Sequence, residues 1–437
     1  MNTGDTAWIL VSTALVMFMT PGLALFYGGL VRGKNVLGTI MQSFFALGLV
    51  SVVWFIAGYS LAFAPEGGRL IGSLKFLFLA DVGAEPFPLA PTVPHSLFMA
   101  YQMMFAIITP ALITGAVAER MRFRGYVLFL GLWSLLVYSP IAHWVWGGGF
   151  LGLGDGNVGA LDFAGGTVVH INAGVAALAA IFYLGKRVGH GNEVFHPHNV
   201  PMVITGAAIL WFGWFGFNAG SSLGSGPLAA QAFVNTHLAT AAAMLGWLVV
   251  EWARNKAPTT IGAATGAVGG LVAITPAAGF IESWASVILG LAAGVVCYAA
   301  VALKPKLGYD DSLDVVGVHM VGGIVGALLT GVFATTAINE AGADGLLYGN
   351  AAQLGRQAVA VGVTLIFSFL ATLVIMKITD VLVGVRVTQE EEYTGLDVTQ
   401  HAETAYETFD VGTVAAAPAP APASSPAPST VHAPVNG

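Results

Sequence analysis

Charge is what this sequence lacks. Only 9% of its 437 residues are Asp, Glu, Lys or Arg, against about 25% in an ordinary soluble domain. Hydrophobic types supply 56%, and the mean hydropathy is +0.78. A soluble fold of this size could not cover its surface with so few polar groups, so lipid must solvate most of the chain. The formal charge of −7 says little, because much of the acid lies in 390–410. Cysteine is nearly absent too: Cys297 stands alone, which excludes an intrachain disulfide and a thiolate metal cluster. His196-Pro197-His198 has no cysteine or carboxylate partner at metal-binding spacing, so neither a metal nor a cofactor is expected. Nucleotide-binding loop, nucleophile elbow and HExxH are all missing, which argues against a membrane enzyme. The N-terminal MNTGDTAWIL has no basic region and no small-residue cleavage site, so no signal peptide is read.

What is present is a series of apolar runs, each long enough to cross about 30 Å of hydrocarbon. They fall near 8–31, 38–63, 97–118, 125–146, 165–185, 200–220, 231–252, 260–279, 283–303, 313–336 and 355–383, eleven in all. The expected fold is an all-α polytopic membrane protein of 11 transmembrane helices, the last one long. Basic residues set its orientation. With the N-terminus outside, thirteen Lys and Arg (among them Arg32, Lys34, Arg120, Arg187, Lys304 and Arg386) fall in or beside inner loops, and only Arg69, Lys75 and Arg356 fall outside. That bias alternates loop by loop and predicts N-out/C-in. The 57 glycines imply close helix packing, with candidate contacts at Gly262/Gly266/Gly270, Gly290/Gly294 and Gly322/Gly326. Residues 1–386 therefore read as the membrane domain and 387–410 as a polar, acidic cytoplasmic segment. The Pro/Ala/Ser-rich 411–437 reads as a disordered tail.

Two histidines lie inside predicted spans. His170 follows Asp162 in DFAGGTVVHINAG (162–174), and His319 follows Asp314 in DVVGVHMVGGIVG (314–326). The segments are five spans apart, so they would point in opposite directions, as in an inverted five-plus-five repeat of helices 1–5 and 6–10 with its site at the midplane. An ionisable group at that depth is costly and implies function; the bland alternative is a neutral histidine satisfied by a carbonyl. His95, His190, His196, His198, His237 and His401 are placed in or near loops, and His143 is taken as structural. Aromatics cluster at segment ends: Trp144, Trp146, Trp211, Trp214, Phe215 and Phe217. They fit an interfacial belt or a site for a small cation, which an aromatic face attracts by about 0.5–2 kcal/mol.

Six blocks carry a resemblance: PGLALFYGGLVRGKNV (21–36), MMFAIITPALITGAVAERMRF (103–123), SPIAHWVWGGG (139–149), DFAGGTVVHINAGVAALAAIFYLGKR (162–187), WFGWFGFNAGS (211–221) and DDSLDVVGVHMVGG (310–323). In this order they resemble the Amt/Mep/Rh ammonium transporters, the bacterial Amt branch above all, over about 8–410. The resemblance implies ammonium and methylammonium transport across the plasma membrane (the bacterial inner membrane) by a homotrimer with one pore per subunit, and no enzyme activity. It makes Trp146, Phe105 and Ser221 an outer recruitment site, Phe105 and Phe217 a phenylalanine gate, and His170 and His319 the twin histidines of a hydrophobic conduit. Trp214 and Phe26 would line the pore, and Asp162 would support the outer site indirectly. GLDVTQHAETAY (395–406) resembles the family's C-terminal segment, implying a PII-type nitrogen-signalling protein as cytoplasmic partner; a solvated acidic tail is the plain alternative. An ammonium sensor and a neutral gas channel for NH₃ or CO₂ are the competing readings. No kinase or cyclase domain follows Arg386, and an outer tryptophan would be wasted on a gas.

These residue types suit that chemistry. Ammonium and K⁺ are close in size, but only ammonium can lose a proton. A bare ion in a greasy conduit meets a penalty of order 20 kcal/mol in the idealised limit, which NH₃ escapes. Two imidazoles sharing a hydrogen bond would take complementary tautomers and resist double protonation. Net electrogenic transport and plain NH₃ conduction both fit this scheme.

Overall fold

The computed structural model describes residues 1–406; residues 407–437, with the end of the acidic segment and the whole expected tail, lie outside the described residues. Among the described residues, ten helices are long and apolar enough to cross a membrane: α1 (Thr3–Leu30), α2 (Gly33–Phe63), α3 (His95–Val117), α4 (Phe123–Val145), α5 (Gly166–Leu184), α6 (Val200–Ser222), α7 (Pro227–Asn255), α9 (Ser283–Leu307), α10 (Val316–Phe333) and α11 (Ala351–Val383). An eleventh apolar helix, α8 (Thr260–Ile274), is shorter. Its 15 residues rise only about 22 Å at 1.5 Å each, so the span expected at 260–279 overshoots the helix. Pro276 follows the last turn, and 275–281 continues as buried irregular backbone. Asn235 Nδ2 on α7 donates to Ala278 O and Ile281 O there, so protein, not lipid, satisfies the freed carbonyls.

Two ends are distinct. Asn2 N–H donates to Thr92 O, Ser225 N–H to Asp5 Oδ1, and Arg69 to Gly156 O and Asn157 Oδ1. This end holds the N-terminus and a short hairpin of β1 (Pro86–Phe87) and β2 (Ala90–Pro94), the one sheet among the described residues. At the other end Lys34 Nζ donates to Glu392 O, Val188 N–H to Glu392 Oε1, and Met121 bridges to Arg386. The basic loops and the C-terminal helices α12 (Gln389–Thr394) and α13 (Leu396–His401) thus gather at one end, here called inner by the positive-inside rule. His237 corrects an expectation: it lies within α7, not in a loop, and its side chain is exposed.

Glycine lets the helices touch backbone to backbone. A Cβ on Gly206 would fall 2.3 Å from Phe26 N, fixing α6 against α1, and one on Gly294 would fall 2.2 Å from Ala243 O, fixing α9 against α7. The α5–α10 contact is reciprocal. Gly174, four residues after His170, abuts Met320, one after His319; Gly323, four after His319, abuts Ile171, one after His170. A two-fold axis between the two helices generates that pattern.

Candidate functional site

Both histidines sit in π-helical turns at helix starts, Gly166–Ile171 and Val316–Met320. Such turns widen a helix locally and recur at functional sites. Each turn is capped by an aspartate. Asp162 Oδ1 accepts from the N–H groups of Gly165 and Gly166, and Oδ2 from those of Thr167 and Val168. In the second half the cap is Asp311, whose Oδ2 accepts from Val316 N–H at 2.7 Å. The sequence pairing of Asp162 with Asp314 is therefore corrected. Asp162 and Asp311 each precede their histidine by eight positions, while Asp314 matches Gly165, and both adopt positive φ (63° and 117°). Aspartate tolerates that conformation better than most residues. Asp314 turns instead to Lys304 Nζ.

From the outer end, a cavity of about 300 Å³ is lined by Gln102, Phe105, Trp146, Asp162, Phe163 and Ser221, among others. Trp146 Nε1 donates to Asp162 O at 2.9 Å, which presents the indole to the cavity. Its ring meets Phe105 edge-on at 5.9 Å between centroids, and Phe105 contacts Phe217 at 4.4 Å. Phe105, 1% exposed, borders the cavity and closes its floor, and Phe217, 0% exposed, lies behind it. Ser221 Oγ lies 2.8 Å from Phe217 O and 3.2 Å from Tyr101 Oη. Tyr101, which sequence reasoning missed, also reaches Gly216 O and Phe217 O, both at 2.9 Å. It fixes the end of α6 and the serine together.

Beneath Phe217 stand the histidines. The His170 ring stacks on Phe217 (5.9 Å), Trp214 (5.3 Å) and His319 (5.4 Å). The two Nδ1 atoms lie 3.3 Å apart, so one donates and the other accepts. His170 Nε2 has no hydrogen-bond partner among the described residues. Trp214 Nε1 donates to Thr275 Oγ1 at 2.9 Å, which turns its polar edge away from the column. His319 and Phe26 border an inner cavity of about 560 Å³, together with Tyr27, Asp310 and Asp314. Phe217, His170 and Trp214 border neither cavity. The other aromatics go elsewhere: Trp144 Nε1 donates to Leu70 O, and Trp211 packs on His237. His143 is buried, with Nδ1 at 2.9 Å from Ala62 O and Nε2 at 2.8 Å from Gly68 O.

The inner mouth carries a buried ion network. Arg187 joins Glu119 and Asp310, Arg120 pairs with Asp310, and Arg32 with Glu119. Burial works to raise the Asp310 carboxyl, but hydrogen bonds and charge from Arg187, with the charge of Arg120, outweigh it and hold it well below the usual range. Glu119 is lowered in the same way, against burial, by Arg32 and Arg187. Phe195 is held between the Arg32 and Arg187 guanidinium groups at 4.4 and 4.3 Å. No cluster of three potential metal ligands occurs among the described residues.

A helical bundle with cavities at both ends and a closed, aromatic, histidine-bearing constriction between them defines a multi-pass membrane protein of the transporter and channel class. The chain belongs to the ammonium transporter family, whose model, described as Ammonium Transporter Family, matches residues 7–406. It is 52% identical to an ammonium transporter of Bacillus subtilis over 93% of this chain and 99% of that one. Among solved structures it is similar to Mep2 of Candida albicans, with TM-score 0.84, 39% identity and coverage of 90% and 88% of the two chains. It is also similar to a structure named Sensor Amt Protein, with TM-score 0.81, 28% identity and coverage of 91% and 98%.

Proposed function

We propose that this protein transports ammonium and methylammonium across the bacterial plasma membrane by stripping a proton that K⁺ does not have. The observation that carries the reading is the buried column of Phe105, Phe217, His170 and His319 between two cavities. NH₄⁺ is held at the outer cavity by the π faces of Trp146 and Phe105 and by a lone pair of Ser221. Asp162 acts there at one remove, through its carbonyl on Trp146 and its carboxylate on α5. Loss of the proton, to water at the outer cavity or onward to the histidine pair, leaves NH₃, which passes the phenylalanine gate and the histidine pair past Trp214 and leaves beside Phe26.

Complementary tautomers leave one Nε2 as acceptor and the other as donor, so NH₃ finds both roles along the pair. The pair also offers a route by which the proton follows, making transport electrogenic. Ammonium pulses on reconstituted protein over a supported membrane should evoke current; silence leaves neutral NH₃ conduction. His170→Ala and His319→Ala are each expected to lower methylammonium uptake by about tenfold or more, or to admit K⁺, for a loss of order 1.4 kcal/mol or greater. Uptake in a transport-deficient cell checks this. Wild-type uptake with K⁺ still excluded in both variants rejects the mechanism.

The protein assembles as a homotrimer, and a PII-type regulator docks at the inner face on the segment beginning at 387. Crosslinking, and pull-down with and without 387–410, test these two statements. The likeness to a sensor Amt protein favours one further reading, an ammonium sensor using the same site. It predicts that signalling survives in variants that carry no flux.

A further inference from the structure

Asp311 is a buried group of the inner half whose chemistry the proposed pathway leaves unused. Its side chain is 1% exposed. Oδ2 holds Val316 N–H, while Oδ1 has no hydrogen-bond partner among the described residues. Its counterpart Asp162 uses both oxygens on four N–H groups. A carboxylate closed off from solvent with one oxygen free takes a proton readily, because burial penalises its charge and the free oxygen carries the hydrogen without surrendering the bond to Val316. Burial pushes the Asp311 carboxyl up to about 6, with Lys304 opposing the rise and Asp314 adding to it.

The groups that face Asp311 are few. Lys304 of α9 donates to the Asp311 carbonyl and pairs with Asp314. Tyr27 of α1, Tyr309 beside it and Arg120 after α3 feel its charge. His190 lies 3.2 Å from Asp310, not from Asp311, and its own pKa is lowered, chiefly by burial. The N–H that Asp311 holds belongs to the five-residue turn that carries His319.

We propose that Asp311 is a positioning residue for His319, and that its protonation couples the pathway to the pH of the inner compartment. Ionised, it grips the first turn of α10 through a charge-assisted hydrogen bond, roughly twice as strong as a neutral one. Protonated, it lets that turn relax and the His170–His319 contact open. The carboxylate form dominates above its pKa, so transport is full at neutral inner pH and falls as the inner side acidifies through about 6. This inference rests on the histidine pair being the pathway.

The test is methylammonium uptake into proteoliposomes at equal pH on both sides, from 5 to 8, with hydrogen exchange of peptides covering 312–322 on the same preparations. Wild type should lose about five-fold in flux between pH 7.5 and 5 as the bond becomes neutral. Exchange protection of 315–320, corrected for the intrinsic rate, should fall in parallel. Asp311→Asn cannot ionise, so it should be low and flat across the range, and wild type should converge on it at pH 5. His190→Gln should keep the wild-type fall. A constant ratio of wild-type to Asp311→Asn flux overturns the proposal, as does a fall abolished by His190→Gln. PH-independent protection of wild type overturns it without reference to any variant. Protection that tracks pH while flux does not overturns the coupling, and with it the histidine pathway.

Discussion

The two starts of α5 and α10 perform the same task with different margins. Each places a histidine in a π-helical turn eight residues after an aspartate and four before a glycine. The outer aspartate is saturated by four N–H groups; the inner one holds Val316 and keeps an oxygen free. Burial raises the pKa of both, but around Asp162 the backbone N–H groups oppose it more fully. The outer half uses Gly165 for its positive φ, and the inner half uses Asp314, whose side chain is anchored by Lys304. The difference teaches that symmetry of backbone does not impose symmetry of response. The outer cap has both oxygens engaged by N–H groups, while the inner one keeps an oxygen free to carry a proton.

The largest effect expected from breaking that comparison is at Asp162. Asp162→Ala strands four buried N–H groups at a cost of about 1–3 kcal/mol each before relaxation, so the folded protein should lose about 4 kcal/mol overall. Asp311→Ala should lose about 1–2 kcal/mol, since fewer groups are stranded. Thermal unfolding in detergent at pH 7.5 measures both. Equal losses, or the reverse order, would mean that the caps are equivalent and that the asymmetry has no mechanical content.

A smaller contrast lies at the glycines where α5 and α10 cross. A Cβ on Gly174 would sit 2.3 Å from Met320 N, a backbone atom of the turn carrying His319, whereas one on Gly323 meets first Ile171 Cγ1 at 2.9 Å, a side chain that can turn aside. Overpacking costs about 1–3 kcal/mol. Gly174→Ala should fall at the upper end of that range and depress uptake more than Gly323→Ala. Uptake normalised to surface expression decides it; a larger defect in Gly323→Ala would show that Met320 of α10, not Ile171 of α5, is the partner that gives way.

How much of this was legible in the sequence follows from what each signal depends on. Spans are set by local composition, so each apolar run has a helix in it, and the alternation of basic loops matches the two ends that the contacts define. The run at 260–279 overshot because Ala277 and Ala278 read as apolar whether helical or not, while Pro276 ended the helix. The repeat was visible but misframed. Asp314 is the nearer aspartate, and the matching interval of eight residues at Asp162–His170 and Asp311–His319 was the signal that would have set the register. Tyr101 left no signal in its neighbourhood, since its partners lie more than a hundred positions away in the chain. Composition and spacing could not sort the aromatics, and only the family resemblance singled one out: Trp144 and Trp146 are two apart, yet only Trp146 lines the outer cavity. The π-helical turns were equally hidden, for the apolar runs that hold them read the same whether the turn is α or π.

The smallest expected effect probes whether the inner half's freedom extends to the C-terminal segment. Glu392 is 1% exposed. Its Oε1 accepts from Val188 N–H at 2.7 Å, and its Oε2 pairs with Arg386 at 3.0 Å. It therefore fastens α12 to the loop that carries Arg187, whose guanidinium reaches Asp310, next to Asp311 in the chain. Glu392→Gln keeps one acceptor for Val188 but removes the charge facing Arg386. That arginine is 31% exposed, so water takes over part of the lost pairing and the cost should stay near 1 kcal/mol. Flux should then fall by only about two-fold, with raised hydrogen exchange confined to 185–198 and none at the Asp162 cap. If exchange rose equally at 162–170, the two ends would be mechanically joined, and the division between a fixed outer half and an adjustable inner one would fail.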